Sequence, residues 1–150
     1  MKRFLAFILT ITLLFSLVSC GGDNQKADET AYPFIEAMLV RNNDAMKQYL
    51  HPDYIETALP NDIFYKSLED NHFFTVGHSL DALEASGKKN VEDTSFDGSL
   101  MQCIYLIRSN ELFYDVTLMI LDNENGYGIV AVSVSLNTEA LYFAISNGEF

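Results

Sequence analysis

Apolar and polar positions alternate along this chain with two different periods, and the change falls near the middle. In the first half, Tyr32, Phe34, Ile35, Met38 and Leu39 recur at three- and four-residue intervals, which predicts a helix with one apolar face and Pro33 in its first turn. "RNND" interrupts the pattern, and Asn43 or Asp44 is placed to cap a second helical turn carrying Met46, Tyr49 and Leu50, which His51-Pro52 stops. Asp62 to Phe74, with Ile63, Phe64, Leu68 and Phe73, predicts a third helix starting at an Asn61 or Asp62 cap. "SLDALEASG", residues 79–87, reads as a short helix with a serine start, leucines at 80 and 83, and a glycine stop.

The second half reads as strands. "MQCIYLIR", "LFYDVTLMIL" and "YGIVAVSVSL" are β-rich runs separated by Ser109-Asn110 and by Asn125-Gly126, a dipeptide that signals a tight hairpin. In the last run Ile129, Ala131, Ser133 and Ser135 fall on one face and Val130, Val132, Val134 and Leu136 on the other, more apolar one. Lys89 to Phe96, closed by Asp97-Gly98, is a further strand. "ALYFAIS" near the C-terminus has no decisive period and reads as a strand or a short helix; left unpaired, residues 138–150 would form an exposed patch suited to a partner. Helices followed by hairpin-linked strands predict an α+β fold, with N-terminal helices packed on one face of an antiparallel sheet.

The N-terminus has a different character. Lys2 and Arg3 precede an apolar run from Phe4 to Val18, the layout of a secretory signal peptide and shorter than the roughly 20 residues of a permanent membrane span. Leu17-Val18-Ser19-Cys20 resembles a bacterial lipobox. That resemblance implies cleavage before Cys20, its modification with diacylglycerol and palmitate-type chains, and a stable anchor, because two or more acyl chains hold a protein where one does so only marginally. The polar stretch 21–30, "GGDNQKADET", reads as a flexible tether reaching roughly 15–20 Å. The expected organisation is therefore a signal peptide over 1–19, the lipidated cysteine and tether over 20–29, and one α+β domain over 30–150, located outside the cytoplasm on a bacterial membrane.

Charge removes some partners. The chain has 9 basic and 21 acidic residues and a net charge of −12. Loss of Lys2 and Arg3 leaves it near −14, a surface that repels nucleic acid and anionic lipid heads. With Cys20 acylated, Cys103 has no disulfide partner, and its apolar neighbours mark it as a core residue.

"FIEAMLVRNNDAMKQYLHPDY" followed by the strand meander resembles the NTF2-like (cystatin-like) domains, which include ketosteroid isomerase and SnoaL-type cyclases. Together with the lipobox, it resembles small bacterial lipoproteins carrying such a domain. The resemblance implies a curved sheet and helices forming a cone around a partly apolar pocket, with a carboxylate inside where the protein is an enzyme. Asp115, in "FYDVT", is the candidate base; it shares a face with Phe113, Thr117 and Met119, and the commoner place for a strand aspartate is outside the core. Tyr65, Phe73 and Phe74 are candidates for a pocket mouth or for core packing.

Other chemistry lacks its signatures. His51, His72 and His78 do not form an H-E-x-x-H pair, and "DNENGYG" misplaces the glycine of a calcium loop and has Ser133 where its last ligand belongs. No nucleophile elbow, phosphate loop or dinucleotide motif occurs. No metal or cofactor is expected. Three functions follow: a non-catalytic, lipid-anchored accessory domain holding a small apolar ligand or an envelope protein; an isomerase or cyclase using Asp115; or an interaction module that dimerises through its sheet.

Overall fold

The computed structural model describes residues 22–70, 82–109 and 112–146. The expected signal peptide, Cys20, His72, Phe73, Phe74 and His78 lie outside the described residues. The chain is α+β: helices first, then a four-stranded antiparallel open sheet whose strands neighbour one another in chain order. Among the described residues, no helix is long and apolar enough to cross a membrane.

Helix α1 spans 22–39, so most of the stretch expected to be a tether is helical. Ala27, Ala31, Phe34, Ile35, Ala37 and Met38 are its buried residues. The two nearest its N-terminus are alanines, so that end buries methyl groups alone, and its composition looks like that of a linker. Pro33 is therefore inside the helix rather than in its first turn, where it removes one ladder bond, to the carbonyl of Glu29. The helix closes with Arg41 at φ 53, its N–H bonded to Met38 O at 3.1 Å and that of Asn42 to Ala37 O at 2.9 Å. This left-handed closure satisfies two terminal carbonyls. The Arg41 guanidinium stacks 4.4 Å over the Tyr65 ring and pairs with Glu69, tying α1 to the later helix that carries both.

Helix α2, Asn43–Lys47, is capped by Asn42 rather than by Asn43 or Asp44; the Asn42 side chain accepts from Ala45 N. A 3₁₀ turn at Pro52–Tyr54 leads to α3, Ile55–Ala58, and then to α4, Asp62–Asp70, whose Phe64 N–H donates to Asn61 Oδ1 as expected of that cap.

Strand β1 is Ala82–Val91, where the sequence suggested a helix up to Gly87 and a strand only from Lys89. The local leucine spacing is helical, but nine residues of this segment pair with β2, and tertiary pairing overrides weak local preference. The strand stops at Val91 rather than Phe96, and the loop that follows turns over residues 93–96, where Phe96 N donates to Asp93 O at 3.3 Å, rather than at Asp97-Gly98; Gly98, at φ 130, is the last residue of that loop. Strands β2 (Ser99–Ser109), β3 (Leu112–Asn123) and β4 (Gly126–Leu136) match the three apolar runs. Asn123 pairs with Gly126, so the hairpin loop is Glu124-Asn125 and not Asn125-Gly126. Asn123 Oδ1 accepts from the N–H groups of Asn125 and Gly126, and of the three residues only Gly126, at φ 154, has a positive φ. The C-terminal "TEALYFAIS" is a helix, α5, Thr138–Ser146.

One sheet face carries the core: Cys103, Tyr105, Ile107, Tyr114, Val116, Leu118, Ile120 and Ile129 meet the buried side chains of the helices. A register shift opposite Met119 and Ile120 inserts Val130 as an extra residue. Ile129 therefore shares the core face with Val132, Val134 and Leu136, while Val130 joins a smaller cluster with Leu100 and Leu121. The simple alternation expected for β4 holds only beyond this bulge.

Candidate functional site

A partly buried polar cluster lies beneath α1. In β1 the pairing steps from Ala85 to Gly87, leaving Ser86 as a bulge whose hydroxyl donates to Ile104 O at 3.1 Å. The bulge switches the core-facing positions from odd to even, so Lys88, and not Lys89, turns inward beside Cys103. Lys88 Nζ meets Asp28 Oδ2 at 2.5 Å, and Tyr105 Oη donates to Asp28 Oδ1 at 2.9 Å. The pair is mostly shielded, with 15% and 28% of the two side chains exposed. Burial raises the Tyr105 phenol, and its bond to Asp28 raises it further, so it remains a donor. Burial also raises the Cys103 thiol, outweighing nearby Lys88, which keeps it a poor nucleophile. Each charge here is spent on a neighbour. The arrangement locks α1 onto the sheet.

Beside this cluster is a cavity of about 160 Å³, with Asp23, Asn90, Ser99, Asp122 and Tyr127 around a floor of Met101 and Ile120. Lys26 closes one side, 3.3 Å from Asp122 and 3.6 Å over the Tyr127 ring. Burial, chiefly, pushes the Tyr127 phenol up to about 12. This volume is below the roughly 300 Å³ at which ligand pockets begin, and its polar rim suits water better than an apolar molecule.

Asp115 lies elsewhere. It is on the outer sheet face, half-buried, and both its oxygens accept from Asn137 Nδ2, at 3.0 and 3.1 Å. Asn137 Oδ1 in turn accepts from Ala140 N at 2.8 Å, so Asp115 orients the residue that caps α5. Tyr65 is buried within the core and donates to Met38 O at 3.0 Å, which excludes it from a pocket mouth.

The sequence marked His51 as a helix stop and gave it no metal-site pattern, yet it is fully buried and clasps two regions. Its Nδ1 accepts from Asp53 N at 3.2 Å, so Nε2 carries the proton and donates to Asn123 Oδ1 at 3.0 Å. His51 N also donates to Ile129 O at 3.0 Å, and Ile129 N donates to Tyr49 O at 2.9 Å. Gly128 permits this approach: a β-carbon there would collide with the backbone of Leu50 and His51. Among the described residues, no three His, Cys, Asp or Glu side chains converge in a way that could hold a metal ion.

The clasp covers only the start of the β4 edge. Asn137 N donates to Phe113 O, so alternation along the regular ladder turns the N–H and C=O groups of Val132, Val134 and Leu136 away from β3. Among the described residues, no backbone group meets them. Beside this edge runs a groove lined by Thr57 to Asn61, Phe64 and Val130 to Val132, none of them charged. In comparisons with known proteins, no family model, curated protein or solved structure matches the chain.

Proposed function

We propose that this chain is a non-catalytic, lipid-anchored accessory protein of a bacterial cell envelope, holding another envelope protein rather than transforming a substrate. The observation that carries the reading is the order of the N-terminal segments: a basic start, an apolar run, Leu17-Val18-Ser19-Cys20, and then a described helix from residue 22. Cys20 stands two positions before that helix, so a lipid on its sulfur would hold the folded part against the headgroups without a long arm. A partner within reach would itself be at the membrane surface.

The position of Asp115 supports binding over catalysis. An isomerase-type base belongs in a sheltered pocket where burial lifts its pKa, whereas this carboxylate faces outward and is engaged by Asn137. The helices packed on one face of a meander suit an NTF2-like cone, which we adopt as the finer reading of the α+β fold.

Mass spectrometry of the membrane-extracted protein tests the anchor: the expected N-terminal peptide begins at an acylated Cys20, and an intact, unmodified Met1 to Val18 segment would contradict it. Cys20→Ser should release the protein from the membrane fraction. Asp115→Asn should leave its cellular role unchanged; loss of that role with retained folding would favour the enzyme reading.

A further inference from the structure

We propose that two copies of this chain join along the free half of β4, antiparallel and about a two-fold axis at Val134, to form one continuous eight-stranded sheet. The proposal is independent of the lipid anchor. It starts from Val132, Val134 and Leu136, whose backbone groups point out of the sheet and meet no backbone partner among the described residues. A long apolar edge of this kind is a template for another strand unless it is blocked. Here the blocking by His51 and the backbone of Tyr49 stops at Ile129.

Charge selects a second copy as the occupant. A chain with net charge −12 repels itself wherever acids face acids. From Asn125 to Thr138 no charged residue occurs, and the neighbouring groove has none either. The strip is thus the region where two copies can meet without opposing carboxylates. The opposite edge is unsuitable, because β1 carries Glu84 and Lys89 on its exposed positions and a bulge at Ser86. Each copy offers one usable edge, so assembly closes at two.

The sequence of the edge is self-complementary in this register. Val134 faces its own copy and Val132 faces Leu136, which extends the apolar core row across the axis; Ser133 faces Ser135 on the outer side, within reach of a hydroxyl hydrogen bond. All three outward residues become hydrogen-bonded pairs, two bonds to each pair. A register centred on Ser133 would instead drive Leu136 toward Val130, where α3 and the groove residues stand. With the axis at Val134, Asn137 of one copy reaches Ala131 of the other, at the groove. This also brings the start of α5, with Tyr142 and Phe143 exposed at 75% and 65%, to the interface side of the molecule.

The test uses the full chain purified in mild detergent. Sedimentation at tens of micromolar should give twice the protomer mass. Ser133→Glu combined with Ser135→Glu sets acids opposite one another across the axis at positions exposed in the protomer. It should weaken association at least ~100-fold with an unchanged circular dichroism spectrum. Ser133→Cys combined with Ser135→Cys should form intermolecular disulfides on mild oxidation, and either substitution alone should do so far less. A protomer mass at all concentrations, larger assemblies, a dimer indifferent to the glutamates, or equal cross-linking by the single cysteines would each overturn the proposal. So would a monomer that cross-links through Ser135→Cys to a different protein in intact cells, which would assign the edge to a strand from that protein.

Discussion

The two edges of the sheet are finished in opposite ways. β1 is a guarded edge: it is broken by the Ser86 bulge, carries Glu84 and Lys89 outside, and draws Lys88 inward to Asp28. β4 is guarded over its first half by the His51 clasp and beyond Val130 presents only valine, serine, alanine and leucine. Solubility alone would call for charges on both edges. The difference leaves the first edge bulged and charged, and the second with a run of apolar and hydroxyl residues whose outward backbone groups meet no backbone partner among the described residues.

Gly128→Val strikes the held half of β4 and should have the largest effect. Its side chain would enter the backbone of Leu50 and His51, with a cost of about 3 kcal/mol or more by denaturant unfolding. Lys88→Met attacks the other edge. Removing one partner of a buried ion pair costs ~3–5 kcal/mol, reduced here to about 2 because both side chains keep some solvent. The double variant with Asp28→Leu should recover part of the loss, and failure to recover it would show that Asp28 acts mainly through Tyr105. Gly126→Val places a branched residue at φ 154 against Pro52 Cδ, 3.0 Å from the β-carbon position, and should cost about 1–2 kcal/mol.

Alkali offers a test of the covered face. Burial raises the phenols of Tyr65 and Tyr127 to about 12, above the ordinary value of 10.0, so the folded protein holds their protons more tightly than the unfolded chain. Their contribution is therefore complete below pH 10 and is lost as the pH rises from 10 toward 12, which should appear as a falling Tm over that range. The smallest effect is expected of Asp115→Ala. It frees the Asn137 cap and should cost under ~1 kcal/mol, confined to α5.

What was legible in the sequence followed the range of the interactions. The three long strands were readable because Cys103, Tyr105 and Ile107, or Tyr114, Val116 and Leu118, alternate within a single run. The helical start of the domain was hidden because Ala27 and Ala31 are poor markers of burial and because Asp28 finds its partners 60 and 77 residues away. Likewise Leu80 and Leu83 imitate a helix, and only the presence of β2 makes 82–91 a strand. His51 looked like punctuation because Asn123, which accepts its hydrogen bond, lies 72 residues further on. Among the site residues, Asp115 was correctly placed with Phe113 and Thr117 on one face, but its bond to Asn137 was not foreseeable from the run itself.

The contrast between held and free halves of β4 is tested most directly by amide hydrogen exchange of the full chain at increasing protein concentration. Ile129, bonded to Tyr49 O, should be protected at every concentration, whereas Val132, Val134 and Leu136 should exchange quickly when dilute and become protected as copies pair. Equal protection of all four amides in dilute solution would mean that the edge is already covered within one chain, and persistent fast exchange of the last three at high concentration would mean that no second strand joins it.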